Sequence, residues 1–254
     1  LALLEVVEQQ QRKVYLITGG RRADELVPIA QQIQPLANAQ NARVESLVME
    51  GRSSIPDDAD ALFFPGNTTD LSKREAELVR QFFDERQGGI VLFRDPGAET
   101  PNLDELLREY GVAPNRDRVL SVISLAGLQP RRISDVPVAL MPGGGPTRDL
   151  PALSTRLLGR TNSFSVLFED DLLLSENIRP RPLMVAGEGF WGETEFQADE
   201  ISFNPDLDNG TPDLVFTAAS VEKGRLGDPE LSEGSARLFV VGNPVLISRE
   251  GYTS

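Results

Sequence analysis

The chain has 254 residues, with 25 Lys and Arg against 39 Asp and Glu, and a formal charge of −14. A chain of this length can bury a sizeable core, and we expect one continuous domain over 1–254. The negative charge excludes a general attraction to nucleic acid. The sequence contains no Cys and no His, so we expect no thiol nucleophile, no histidine base, no metal site and no cofactor.

The first half of the chain, about 1–112, alternates strand and helix patterns. Short β-rich runs alternate with segments that carry apolar residues at helical spacing, and Ser72 with Glu75 predicts a capping box. Strands are predicted at 13–17, 42–49, 61–64 and 90–93, and helices at 24–37, from Ser72 to Gly88 and at 102–110. This alternation predicts an α/β fold with a doubly wound, mostly parallel sheet, either Rossmann-like or flavodoxin-like.

The second half, about 113–254, is less regular. Strands are predicted at 119–124, 182–186, 213–219 and 237–241, and a short helix at 149–158. The stretch 187–211 is rich in Gly, Pro and acidic residues and is long for a simple connection, so we interpret it as a functional loop or a small subdomain. No apolar run approaches the roughly 18 residues that span a bilayer, so we expect membrane contact only through segments outside this chain.

Three residues are candidates for ligand or partner binding. Asn67 and Asp95 follow the third and fourth predicted strands, at the edge where parallel sheets bind ligands. The alternative for Asn67 is a turn next to residues that cap the following helix, and for Asp95 a structural carboxylate that pairs with Arg94 or caps a turn. Trp191, the only tryptophan, can stack on a sugar or a peptide, and its alternative is a buried loop anchor.

The order of several short motifs resembles a known family. In chain order they are 13–19 (KVYLITG), 55–62 (IPDDADAL), Pro65-Gly66, 71–75 (LSKRE), Gly88-Gly89, 102–112 (NLDELLREYGV) and 237–243 (RLFVVGN). Together they resemble the gliding-motility-type auxiliary component of ABC transporters, a domain related to the intraflagellar-transport-like domain. The segment GFWGE at 189–193 stands where this family often has a serine- and tryptophan-bearing loop. The resemblance spans nearly the whole chain.

The resemblance implies a class I glutamine amidotransferase-like fold in an extracytoplasmic, periplasmic domain. Such a domain is tethered to the inner membrane by other parts of the full-length protein and works beside an ABC permease and ATPase. The family often has a Gly-His-Gly-Glu-like turn after the first strand, where this chain has Thr18-Gly19-Gly20-Arg21, so no role of that turn is carried over. In amidotransferase-like enzymes the strand at 90–93 would lead to the nucleophile, where this chain has Arg94-Asp95-Pro96.

These observations leave three functional hypotheses. The first is a non-catalytic auxiliary domain of an ABC transport system that contacts a substrate or a protein partner, in which case the chain is not an enzyme. The second is a carbohydrate- or cell-wall-binding module that uses Asn67, Asp95 and Trp191 to bind a glycan or another polymer. The third is an unrecognised hydrolase with a serine or carboxylate group, although no GxSxG or SxxK pattern supports it.

Overall fold

The computed structural model describes residues 11–20, 23–124, 129–141, 153–211, 214–224 and 235–248. The strands in these ranges are β1 (Arg12–Ile17), β2 (Ala42–Leu47), β3 (Ala61–Pro65), β4 (Gly89–Phe93), β5 (Val112–Pro114), β6 (Arg118–Ile123), β7 (Arg131–Ile133), β8 (Val136–Leu140), β9 (Ser154–Leu157), β10 (Phe164–Val166), β11 (Ile178–Ala186), β12 (Trp191–Glu193), β13 (Phe216–Lys223) and β14 (Ala236–Val241). The helices are α1 (Ala23–Ala39), α2 (Lys73–Asp84), α3 (Pro101–Glu109) and α4 (Asp171–Ser175), with a 3₁₀ turn at Pro244–Ile247. None of these helices has the length and apolarity that crossing a bilayer requires.

Five strands form the parallel part of the main sheet, in the order β2-β1-β3-β4-β14. With β14 in the fifth place, this is the 2-1-3-4-5 order of flavodoxin-like folds. The strand β3 is apolar from end to end (ALFFP) and almost entirely buried, as a strand covered on both faces requires. The predicted fold class, a doubly wound α/β sheet of the flavodoxin-like, class I glutamine amidotransferase-like kind, is confirmed.

Antiparallel strands extend this sheet beyond β14, through β13, β11, β8 and β9, while β10 pairs with β13 and β5. Strands from both halves of the chain therefore share one sheet. A smaller sheet has the order β12-β6-β7. The helix predicted at 149–158 is wrong where the structure describes it: Ser154–Leu157 is the edge strand β9, fixed by pairing with β8, and 149–152 lie outside the described residues.

Helices cover both faces of the parallel strands. The helix α2 begins at the predicted capping box, in which the Ser72 hydroxyl accepts from the main-chain N–H of Glu75 at 3.2 Å and the Glu75 carboxylate accepts from that of Ser72 at 2.7 Å. With α3 it packs on one face of the sheet, through Phe82, Phe83 and other buried side chains. The helix α1 packs on the other face through Leu26 and Ile29. The uncovered edge is the carboxyl end of the strands.

Candidate functional site

A cavity of about 750 Å³ lies beyond the carboxyl end of β4. Its lining is basic, although the chain as a whole has a charge of −14. The carboxylates in the described lining are Glu99 and Asp104. The basic residues that line it are Arg94, Arg116, Arg118, Arg132 and Arg160. We call this cavity, with its five arginines, the arginine cleft.

Arg94 is fixed at the base of β4 by a buried ion pair. Its main-chain N–H donates to the carbonyl of Val241 in β14 at 2.8 Å. Its Nε and Nη2 each donate to one carboxylate oxygen of Asp104 at 2.9 Å, and both side chains are about 5–6% exposed. The Thr100 hydroxyl donates to the same carboxylate at 3.1 Å. The turn that would carry the nucleophile of an amidotransferase-like enzyme is therefore occupied by an ion pair.

The chain around Arg160 is held against the end of β14. Asn243 is fully buried, and its Nδ2 donates to the Thr161 hydroxyl at 2.8 Å. The main-chain N–H of Asn162 donates to the carbonyl of Gly242 at 3.0 Å. Only glycine fits at 242, because a Cβ there would lie 2.2 Å from the Asn162 carbonyl oxygen. This close packing brings Arg160 and Thr161 to the lining of the cleft.

A buried carboxylate, Asp117, fastens the segment that carries Arg116 and Arg118. Its two oxygens accept from the main-chain N–H of Ser163 at 2.9 Å and from the Ser163 hydroxyl at 2.5 Å. Burial raises the pKa of Asp117, while hydrogen bonds from Ser163 and Asn209 oppose the increase. Because Asp117 faces inward, its two arginine neighbours are left to line the cleft.

Arg118 shows that the cleft concentrates positive charge. Its guanidinium lies over the ring of Phe196, 4.5 Å from the centroid. Burial lowers the pKa of Arg118, and the positive charge of Arg160 lowers it further, with a contribution from Arg94, while nearby carboxylates oppose the shift. The guanidinium groups of three separate segments therefore repel one another across the same space.

The acidic stretch 187–211 supplies the wall of the cleft that contains Phe196 and Gln197. Arg132 of β7 holds this wall in place, since its guanidinium donates to the main-chain carbonyls of Phe196 at 3.3 Å, of Asp199 at 2.9 Å and of Ala198. The same stretch contains β12, which pairs with β6. The stretch thus contributes both a strand of the small sheet and one side of the cleft.

The three residues predicted as binding residues lie at three different places. Asp95 accepts from the main-chain N–H of Gly97 at 2.8 Å, so it caps the turn after β4. It does not pair with Arg94, which pairs with Asp104 instead. Asp95 nevertheless lies close enough to the cleft for its charge to act on Arg118.

Asn67 lies at the carboxyl end of β3, next to the switch in strand order between β1 and β3. It is 3% exposed, and a Cβ on Gly19 would lie 2.2 Å from its Oδ1, so the two residues are in direct contact. Neither polar atom of the Asn67 side chain has a hydrogen-bond partner among the described residues. Asn67 does not belong to the lining of the arginine cleft.

Trp191 is a buried anchor of the small sheet, 6% exposed. Its Nε1 donates to the carboxylate of Glu193 at 3.1 Å, and its ring packs edge-on against Phe203, 6.1 Å between centroids. The other oxygen of Glu193 accepts from the main-chain N–H of Glu195 at 2.8 Å. The indole therefore presents little surface for stacking on a ligand.

The sequence did not point to the arginine cleft. Its arginines come from four separate segments, at 94, 116–118, 132 and 160, and no spacing in the sequence links them. The basic residues of a chain with a net charge of −14 were interpreted only through their total. In the described part of the chain, no group of three or more acidic side chains is placed to hold a metal ion.

The structure is similar to several solved structures. It matches the mmIFT52 N-terminal domain with a TM-score of 0.62 at 15% identity, over 93% of this chain and 88% of that one. It matches a ThuA-like protein from Parabacteroides merdae ATCC 43184 with a TM-score of 0.49 at 15% identity, over 91% and 79%. A GMP synthase component from Thermoplasma acidophilum follows with 0.40 at 13% identity, over 73% and 80%.

These similarities show the fold. The predicted relation to the intraflagellar-transport-like domain is confirmed at the level of the fold by the mmIFT52 match. No family model matches the sequence, and no curated protein matches it significantly. The link to gliding-motility-type components and ABC transport therefore stays a prediction.

Proposed function

We propose that this chain is a non-catalytic, extracytoplasmic auxiliary domain of an ABC transport system, tethered to the inner membrane in the full-length protein. Its partners are an ABC permease and ATPase, and it contacts its substrate or partner through the arginine cleft. The order of the sequence motifs supports the transport role. The observation that carries the binding role is the buried Arg94–Asp104 pair in the turn after β4.

The residues of the cleft favour contact over chemistry. Asp104 is engaged on both oxygens by Arg94, so it is not available as a base. The chain has no Cys and no His to act as nucleophile or general base. The remaining groups that line the cleft are guanidiniums, hydroxyls and amides, which recognise charge and polar groups.

The transport role is tested by purifying the full-length protein in mild detergent. We expect a permease and an ATPase to co-purify with it, identified by mass spectrometry. The matched comparison is Arg116→Ala with Arg160→Ala in the cleft against Arg43→Ala on the distant strand β2, where the side chain is 62% exposed. Consistent absence of both transporter subunits would overturn the transport role.

The non-catalytic role is tested separately with ester, amide and glycoside substrates. We expect no turnover above that of a denatured sample. Asp95→Ala provides the control, because Asp95 is the carboxylate beside the cleft that is not engaged with Arg94. Turnover that disappears in Asp95→Ala would show that the domain is an enzyme.

A carbohydrate- or cell-wall-binding module is the second candidate. The cleft volume of about 750 Å³ lies within the usual range for small-ligand sites, and its lining includes Asn115, Ser134 and Gln197, which can bond to hydroxyls. Trp191 is buried and does not reach this lining. A glycan array distinguishes this candidate: saturable glycan binding that is lost in Arg160→Ala but retained in Arg43→Ala favours it over a protein partner.

A further inference from the structure

The arginine cleft contains cationic groups that the protein itself does not neutralise. Arg116 and Arg160 make no hydrogen bond or ion pair with another residue in the part of the chain that the structure describes. The Arg94–Asp104 pair uses Nε and Nη2 of Arg94 and leaves Nη1 outside the pair. A single carboxylate, Glu99, remains in the described lining to oppose the other arginines.

This arrangement costs free energy in the empty protein. Like charges that converge in a partly buried space repel one another, and the lowered pKa of Arg118, caused by burial and then by Arg160, reports that environment. The surrounding structure nevertheless holds the arginines there, through the Asp117–Ser163 bonds and through the contact between Asn162 and Gly242. An anion in the cleft would relieve the repulsion.

The rest of the lining indicates what the anion is attached to. Hydroxyl and amide side chains of Asn115, Ser134, Thr161 and Gln197 are interspersed with the arginines. Such groups bond to ligand hydroxyls, whereas guanidinium forks bind carboxylate or phosphate. The volume of about 750 Å³ suits a small molecule or the end of a chain of sugars.

We propose that the arginine cleft binds a hydroxylated small molecule with two negative charges, a sugar phosphate or a di-acidic sugar, through Arg116, Arg118 and Arg160. Phosphate and carboxylate share the chemistry that a guanidinium recognises. The inference deepens the proposed function, because it rests on the cleft being the contact site. It does not depend on the identity of any transporter subunit.

Isothermal titration calorimetry of the 254-residue chain at low salt tests the inference. The probes are glucose 6-phosphate, digalacturonate, inorganic phosphate and neutral maltose. We expect one-site binding of at least one of the two sugar dianions, weaker binding of inorganic phosphate and none of maltose. Added sodium chloride should weaken the binding, because salt screens charge attraction. Which sugar dianion binds identifies the anionic group.

Matched variants decide whether the cleft is the site. Arg116→Ala and Arg160→Ala should each weaken binding by about tenfold or more, the usual effect of losing a hydrogen bond to a charged group. Arg160→Lys keeps the charge but loses the fork, so it should lose less than Arg160→Ala. Arg43→Ala makes the same change in net charge on β2 and should leave affinity unchanged within about twofold. Circular dichroism melts confirm that each variant is folded.

Three results would overturn the inference. The first is the absence of saturable binding for both sugar dianions, and the second is an equal loss of affinity in Arg43→Ala and Arg160→Ala. The third is inorganic phosphate that binds as tightly as glucose 6-phosphate, which would remove the role of the hydroxyls. Because calorimetry uses the chain alone, its failure leaves co-purification with transporter subunits unaffected, and the two proposals can fail independently.

Discussion

Replacing Asp104 by Asn tests the account of the turn after β4. The substitution keeps the shape of the side chain but removes the charge that opposes Arg94. Both side chains are about 5–6% exposed, so little water replaces the lost partner. The remaining amide oxygen can accept one guanidinium hydrogen bond, whereas the amide nitrogen is a donor that faces a second donor.

Breaking a buried ion pair by removing one partner costs about 3–5 kcal/mol, because an uncompensated charge stays buried. For a domain with a urea m-value of about 3 kcal/mol/M, the unfolding midpoint should fall by about 1–2 M. Glu105→Gln, one residue further along α3, is the matched control. The Glu105 carboxylate is 67% exposed and pairs only with Arg108 on the surface, so its loss should cost about 0–0.5 kcal/mol.

Urea unfolding followed by circular dichroism measures both variants under the same conditions. A further variant, Arg94→Met combined with Asp104→Leu, replaces the pair by apolar side chains and should be more stable than Asp104→Asn alone. If Asp104→Asn loses no more stability than Glu105→Gln, the pair does not fix the turn. The interpretation of Arg94 as a structural residue would then be refuted.

Three further predictions follow from single contacts. Gly19→Ala should destabilise the protein by more than the roughly 1–2 kcal/mol cost of a left-handed backbone, because a Cβ at 19 collides with a neighbouring side chain; Gly51→Ala, also at positive φ but in open space, should show only that cost in thermal melts. The raised pKa of Asp117 adds stability below the unfolded pKa and loses it as pH rises through the folded pKa, so urea midpoints of Asp117→Asn should gain on wild type as pH increases; a constant difference would contradict this. Trp191→Phe should cost about 1–3 kcal/mol in urea unfolding by leaving the Glu193 carboxylate without its indole donor, and wild-type fluorescence should be blue-shifted; a red, water-exposed emission would contradict its burial.

Elements that depend on local sequence were predicted well. The helix α2 begins at its capping box because the bonds that define the box join residues three apart in the chain. The strand β3 reads as a buried strand because every residue is apolar. The helix predicted at 149–158 was wrong at Ser154–Leu157, where pairing with β8 outweighs local preference.

The candidate site was predicted only in part. The rule that α/β sheets bind ligands at the carboxyl ends of their strands correctly directed attention to the turn after β4. The particular residues could not be chosen in the same way. Asp95 caps a turn and Trp191 is a buried anchor, since their environments are set by Gly97 and Glu193 after the chain has folded.

The sequence by itself determined the α/β class, the order of the first strands and helices, and the lack of any cysteine or histidine. These properties follow from local periodicity and composition, which a linear chain already contains. The tertiary structure decided that β14 fills the fifth place of the parallel sheet and that Arg116, Arg118 and Arg160 meet beyond β4. Contacts between residues distant in sequence are set by packing and hydrogen bonds across the whole fold, and so the arginine cleft became visible only in three dimensions.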